Sequence, residues 1–170
     1  MSQYKPLPPV SRLRKLFALR SDGKLIWKRP PSIRARAGSE AGTLARGYIT
    51  VGLNGLKYFA HRIVWALAHG TDPCQASIDH VDGNPQNNHP SNLRLCNQKQ
   101  NGLNTKTHST NSSGIKGVSY DPSSLSRPWR SYVKGKRLGR FATREEAVMA
   151  LRAEMDNSED CRFYRNDSLW

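Results

Sequence analysis

Apolar positions divide the first part of the chain into short elements. Leu13, Leu16 and Phe17 recur at helical spacing behind Ser11, which predicts a capped helix that includes Phe17. The stretch KLIWK follows a turn and predicts a short strand. The first elements should therefore pack as a helix and a strand on a small core.

The next residues change from irregular to strongly patterned. Residues 28–47 are basic, rich in proline and glycine and without a period, so we expect a loop or an arm that touches DNA. Residues 48–60 alternate around Asn54-Gly55, which is typical of a tight hairpin turn. A helical apolar stripe follows and ends at Gly70. This order predicts a hairpin that leads directly into a helix.

The second half of the chain repeats this mixture of strands and helices. Residues 76–81 and 93–95 predict two short strands around a polar loop, and Asn97 is positioned to cap a helix. Residues 114–142 predict three more strands, and residues 143–155 a helix with a Thr143/Glu146 capping box. The fold class is therefore α+β, with a small three-stranded antiparallel sheet and one packed helix at the C-terminal end.

Charge is concentrated at both ends of the chain. The net charge is +14 with a sequence pI near 10.2. Residues 1–60 hold 12 Lys/Arg and 2 Asp/Glu, residues 61–110 hold 4 and 3, and residues 111–170 hold 11 and 8. Basic flanks favour a polyanionic partner, and a nearly neutral centre suits a site that hosts a cation. A solubilising basic surface is the alternative.

Cysteine spacing and hydropathy narrow the class of protein. Cys74, Cys96 and Cys161 are far apart and form no C-x-x-C motif, so we expect free thiols and no structural zinc. The chain has neither a run of 18 apolar residues nor an apolar signal core, so we expect no membrane association and a cytoplasmic location.

Candidate chemistry lies in the polar loop and on its borders. His80 is a natural general base, because its ordinary pKa is near neutrality. Asp79 and Asn101 offer a carboxylate and an amide oxygen, the ligands that Mg2+ prefers. Asn92 is placed to hydrogen-bond the backbone across the loop. Alone, an Asp-His pair beside Asp-Gly-Asn is more often only a turn, and the loop residues Asn84, Asn87 and Asn88 are expected to do no chemistry.

These four residues and their surroundings resemble the HNH nucleases of the ββα-metal superfamily, in particular phage and intron-associated endonucleases. The resemblance implies a ββα-metal core preceded by a hairpin and helix, with His80 as general base and Asn92 as the structural asparagine. It also implies that Asp79 and Asn101 bind one divalent cation, most simply Mg2+, with Mn2+ as an alternative. The sequence NNHPSNLR departs from the acidic-Asn-Arg run of many relatives.

Two further residues near the pattern allow alternatives. His61 begins a helix beside the site, where it could contact phosphate, support the catalytic residues or serve only the fold. Arg94 could contact DNA phosphate or pair with the loop. We include both among the candidate residues.

The C-terminal strands carry most of the positive charge of their region. Residues 114–144 hold eight Lys/Arg against one acidic residue, Asp121. Period-2 spacing places Trp129, Ser131 and Val133 on one face of a strand and the polar set on the other. We expect DNA contacts from Lys116, Arg130, Tyr132, Lys134, Arg137 and Arg140.

The same region resembles the Apetala-type DNA-binding domain through its Gly-Val, Trp-Arg, Leu-Gly-x-Phe and Glu-Glu-Ala motifs, over about residues 112–155. The resemblance implies a three-stranded sheet that reads a DNA groove, with the helix as its backing. A basic sheet face that is only solvated is the alternative.

The sequence thus predicts a metal-dependent DNA endonuclease in several parts. These are a basic N-terminal region, a nuclease core, a linker, a DNA-binding module and a tail, at residues 1–47, 48–105, 106–113, 114–156 and 157–170. The partner is double-stranded DNA, the protein is a monomer or weak dimer, and the role is homing-type or nicking, in the host cytoplasm if phage-encoded. The alternatives are a DNA-binding protein with an inactive nuclease fold and an RNA-binding or structural phage protein.

Overall fold

A computed structural model describes residues 5–32, 35–104 and 107–157. Its helices are α1 (Val10–Leu16), α2 (Ala60–His69), α3 (Gln98–Leu103) and α4 (Arg144–Asp156). Its strands are β1 (Phe17–Leu19), β2 (Leu25–Trp27), β3 (Thr43–Ala45), β4 (Tyr48–Leu53), β5 (Leu56–Phe59), β6 (Ser77–His80), β7 (Leu93–Cys96), β8 (Val118–Tyr120), β9 (Trp129–Val133) and β10 (Lys136–Phe141). Cys161 and the rest of the tail from residue 158 lie outside the described residues.

The chain forms two compact units, residues 1–97 and residues 98–170. The first contains three small antiparallel sheets, ordered β1-β2, β3-β4-β5 and β6-β7. The second contains one antiparallel sheet, ordered β10-β9-β8. This mixture of helices and small antiparallel sheets agrees with the predicted α+β class. The ββα-metal core stays a prediction, as do the predicted domain bounds.

The core of the first unit gathers apolar side chains from its helices and sheets. Leu13, Ile63 and Val64 of the two helices are fully buried, and Val51 of β4 is 1% exposed. The predicted hairpin is confirmed, because Asn54 has a positive φ of 51° that joins β4 to β5. Helix α2 follows β5 without a break, so the hairpin fixes where that helix begins.

The second unit packs α4 against its sheet. Val118, Val133 and Leu151 are at most 2% exposed, so strands and helix contribute to one core. The capping box is confirmed: the Thr143 hydroxyl accepts from the Glu146 N–H at 3.2 Å, and the Glu146 carboxylate accepts from the Thr143 N–H at 3.4 Å. The predicted alternation on β9 is confirmed too.

Three of our predictions about secondary structure are wrong. Ser11 does not cap α1 but lies inside it. Phe17 does not continue α1 but begins β1, where it pairs with Trp27 at a ring distance of 4.6 Å. Burial against that ring outweighs helical spacing. Residues 28–47 are not all loop, because β3 lies within them and pairs with β4.

The described thiols behave as predicted. Cys74 and Cys96 are free, the first exposed and the second buried. Burial and the nearby Asp79 carboxylate raise the pKa of Cys96 to about 11, so this thiol stays protonated. No helix in the described part of the chain is long and apolar enough to span a membrane.

Candidate active site

Asp79 and His80 lie at the end of the β6-β7 hairpin. Asp79 is opposite Arg94 and His80 opposite Leu93 in the antiparallel register. The chain turns directly after His80, whose carbonyl accepts from the Gly83 N–H at 2.8 Å. Asp79 and His80 are only 5% and 6% exposed. Two adjacent ionisable groups at this depth are unfavourable without partners, and such clusters are common at functional sites.

Asn88 holds the His80 ring from the loop. The His80 Nε2 and the Asn88 Oδ1 are 3.1 Å apart, and Asn88 is 7% exposed. An amide oxygen can only accept, so this orientation of Asn88 makes Nε2 the donor and leaves the basic lone pair on Nδ1. We had expected no chemistry from Asn88. Its role depends on the path of the loop, and its position in the sequence gives no signal for it.

Asn92 braces the loop from the other end. Its Oδ1 accepts from the Asp82 N–H at 3.0 Å, and its Nδ2 donates to the Asp82 carboxylate at 2.9 Å and to the Asn87 carbonyl at 2.8 Å. Its own carbonyl accepts from the Val81 N–H at 2.9 Å. These bonds tie both ends of the loop together directly after His80. The role of Asn92 as a structural asparagine of a nuclease stays a prediction.

The Asp82 carboxylate is stabilised in its charged form by the same network. Partial burial alone raises its pKa, but hydrogen bonds from the Asn84 N–H and from the Asn87 and Asn92 amides outweigh burial, so the pKa is lowered. The loop therefore keeps one fixed negative charge close to His80 near neutral pH.

Arg94 pairs with Asp79 across the hairpin. The Arg94 Nε and Nη2 donate to the Asp79 Oδ2 at 2.8 and 2.7 Å, and the two side chains are 20% and 5% exposed. We had considered that Arg94 contacts DNA phosphate or pairs with the loop. The observed bond to Asp79 is neither of these contacts. Removing Arg94 would leave a buried carboxylate without this cation, which is costly.

His61 lies in the first turn of α2 and packs directly on His80. The two ring centres are 5.2 Å apart, and His61 stacks on Phe59 with the rings inclined by 11°. Burial, the charge of His80 and then that of Arg62 lower the pKa of His61 to about 3. His61 is therefore neutral near pH 7 and acts there as a packing surface for His80, not as a cation for phosphate.

This lowered pKa predicts a pH dependence of stability. His61 has a pKa of 6.5 in the unfolded chain and of about 3 in the folded chain. Between these two pH values the unfolded chain binds a proton on His61 and the folded chain does not. Stability should thus fall as the pH drops through this window, by at most about 5 kcal/mol from this group. Urea unfolding between pH 4 and 7 should give a shallower pH slope for His61→Gln than for the native chain. Equal slopes would contradict the assignment.

Asn101 lies on α3, in the second compact unit, and is exposed. Asp79 belongs to the first unit, so their joint coordination of a cation stays a prediction. Within residues 5–32, 35–104 and 107–157, no group of three or more His, Cys, Asp or Glu is arranged to hold a metal ion. A cation here would depend on few protein ligands, as Mg2+ allows.

Asp121 organises the basic side chains of the second unit. Its carboxylate accepts from Arg140 at 2.7 Å and also from Arg130. Desolvation and the charges of Arg140 and Arg137 lower the pKa of Arg130. The Arg130 Nε is buried and has no hydrogen-bond partner among the described residues. One carboxylate thus holds two arginines, Arg130 and Arg140, beside each other on the sheet.

The other predicted DNA contacts surround a cavity in the second unit. The cavity has a volume of about 520 Å³, and Lys116, Tyr120, Tyr132 and Lys134 are among its lining residues. The Lys116 ammonium donates to the Leu103 carbonyl at 2.6 Å, and Tyr132 is 45% exposed. Aromatic rings and ammonium groups together suit contact with nucleic acid.

Part of the candidate site lies within residues that match a protein-family model. Residues 58–103 match an HNH endonuclease model. This range contains His61, Asp79, His80, Asn92 and Asn101. The HNH type of nuclease is therefore supported by more than the spacing of four polar residues. The Apetala-type resemblance of residues 112–155 lies outside the matched range and stays a prediction.

Two viral proteins are similar to parts of the chain. Protein 3.8 of Escherichia phage T7 is 45% identical over 73 residues, which are 43% of this chain and 59% of the phage protein. An uncharacterized HNH endonuclease of Acanthamoeba polyphaga mimivirus is 40% identical over 60 residues, 35% of this chain and 32% of its own length. The chain thus spans less than two thirds of either relative. No solved structure matches significantly.

Proposed function

We propose that this protein is a metal-dependent DNA endonuclease of the HNH type that hydrolyses phosphodiester bonds. The observation that best supports this proposal is the buried His80, whose ring is oriented by Asn88. Both residues lie within the range that matches the HNH endonuclease model. A histidine held in one tautomer beside a carboxylate is suited to proton transfer.

In this proposal His80 accepts the proton of the attacking water. Nδ1 receives it while Nε2 remains bonded to Asn88, so the ring keeps its orientation during transfer. The water attacks phosphorus in line with the leaving 3′ oxygen. Asn92 keeps the loop closed behind His80 through its bonds to Asp82 and Asn87.

The donor chemistry fits one hard divalent cation. Asp79 offers a carboxylate and Asn101 an amide oxygen, and both are oxygen ligands that Mg2+ or Mn2+ accepts. The bound cation supplies positive charge that stabilises the phosphate and the leaving oxygen. Arg94 already neutralises part of the Asp79 charge, so it lowers the cost of burying this carboxylate before a cation binds.

Double-stranded DNA is the proposed substrate. The net charge of +14 favours a polyanion, and the arginines gathered by Asp121 form a second region to hold it. One His80 site cuts one strand, so a monomer nicks and a weak dimer would be needed for a double-strand cut. A homing-type or nicking enzyme encoded by a phage and acting in the host cytoplasm fits these properties.

One observation favours the rival function, a DNA-binding protein with an inactive nuclease fold. The Asp79 carboxylate accepts two hydrogen bonds from Arg94, which reduces its attraction for a cation. The rival retains the basic modules and predicts salt-dependent DNA binding without hydrolysis.

Incubation of supercoiled plasmid with the full chain and Mg2+ or Mn2+ separates the two functions. We expect conversion to open circles, blocked by EDTA and restored by added cation. Unchanged DNA across several plasmids and both metals, with DNA binding intact, would establish the inactive-fold alternative instead.

A further inference from the structure

Two exposed aromatic side chains border the candidate active site. Tyr48 and Phe59 are 38% and 44% exposed, and their ring centres are 5.3 Å apart. The Tyr48 ring centre also lies 6.3 Å from that of His80. The rings of Tyr48 and Phe59 both contact the ring of His61. The four rings form one continuous cluster, with the two histidines buried and the other two rings open to solvent. We name Tyr48 and Phe59 the aromatic rim.

The aromatic rim belongs to the outer face of the β3-β4-β5 sheet. Tyr48, Thr50 and Gly52 share one face of β4, and in the antiparallel register Phe59 is opposite Thr50 and Lys57 opposite Gly52. The residues between them on β4 point to the other face, where Val51 is buried in the core. The outer face therefore carries aromatic rings at the end next to His80 and a lysine farther along.

Gly52 keeps this face flat beside Lys57, its partner in the register. A Cβ built at Gly52 would meet nothing within 4 Å, so the space above it is open. Its backbone φ lies outside the left-handed region. A larger residue would therefore fit the fold, and the glycine leaves room for another molecule to approach the strand closely.

A nucleic acid strand matches the chemistry of this face. Bases that have left the duplex stack on aromatic rings without regard to their identity, and phosphates bind lysine. Lys57 and Phe59 are two residues apart on β5, or about 7 Å, so one nucleic acid strand can contact both side chains. A lipid or an apolar peptide would find too little apolar surface, since only two exposed aromatic rings are present beside Gly52 and Lys57.

We propose that the outer face of the β3-β4-β5 sheet guides the cleaved DNA strand to His80, with a base next to the scissile phosphate turned out of the duplex and stacked on Tyr48 and Phe59. This inference rests on the proposed nuclease function and adds a substrate contact outside the polar loop. The aromatic rim acts in binding and positioning, and the DNA strand continues from it to the paired residues Gly52 and Lys57.

Binding of labelled duplex DNA in EDTA tests the surface without requiring hydrolysis. Tyr48→Leu removes one stacking ring and keeps an apolar side chain, and Gly52→Val adds bulk in open space. We expect each to weaken binding by about 5- to 100-fold, the range of one lost stacked base. Tyr48→Phe should stay within about twofold of the native affinity, because it keeps the ring. Leu44→Ala, on the opposite face of β3, is the matched control.

The outcomes separate this inference from the nuclease function. Native affinity in both Tyr48→Leu and Gly52→Val, with thermal melting unchanged, would overturn the docking surface and leave the nuclease proposal standing. Weakened binding in both variants with a native chain that never nicks DNA would retain the surface and overturn the enzyme. Absence of any DNA binding by the native chain would overturn the surface. Photo-crosslinking of iodouracil-substituted DNA should map to the aromatic rim.

Discussion

Replacement of His80 by alanine should lower the rate of plasmid nicking by about 10²- to 10⁴-fold, the usual contribution of a general base. His80 is the imidazole bonded by its Nε2 to Asn88 and adjacent to Asp79. His61 contacts it but cannot take its place, because a pKa near 3 makes His61 a weak base. DNA affinity measured in EDTA should change by less than the rate.

Two controls distinguish lost chemistry from lost structure. His80→Gln keeps most of the volume packed against His61 and should lose nicking as fully as His80→Ala, with thermal melting closer to native. His69→Ala removes an exposed histidine at the end of α2 and should retain activity. Full nicking by His80→Gln would exclude His80 as the base and require another group to accept the proton.

Local sequence signals predicted the elements that local forces determine. Asn54-Gly55 specified the β4-β5 turn, and Thr143 with Glu146 specified the start of α4, because each signal acts within a few residues. The helix predicted at Phe17 is wrong because Phe17 packs on the Trp27 ring, which lies ten positions later on the paired strand β2. Helical spacing cannot detect such a contact.

The same distinction applies to the candidate site. Asp79, His80 and Asn92 could be selected from residue type and spacing, since a base, a carboxylate and a loop-binding amide have recognisable chemistry. Asn88 and the pairing of Arg94 could not, because both depend on where the loop and β7 return in space. Sequence spacing therefore identifies candidate reactive groups more readily than the residues that orient them.

Gly23→Ala should lower both stability and nicking rate, although Gly23 precedes His80 by more than 50 residues in the sequence. Gly23 has a φ of +84°, and a Cβ there would lie 2.4 Å from the His89 backbone nitrogen and 2.6 Å from the Asn88 carbonyl carbon. Backbone atoms cannot rotate away, so the loop must shift, and Asn88 would move relative to His80. We expect a loss of about 2–4 kcal/mol in unfolding free energy and a nicking rate lowered by about tenfold or more.

Gly38→Ala provides the matched comparison, because Gly38 has nearly the same φ of +83° but nothing within 4 Å of the added Cβ. It should suffer only the backbone penalty of about 1 kcal/mol and keep native nicking. The difference between the two variants in urea unfolding isolates the contact between Gly23 and the loop. Equal unfolding free energy and equal nicking rate in both variants would contradict this prediction. The loop carrying Asn88 would then shift with no loss of stability, and the His80–Asn88 bond would not limit the reaction.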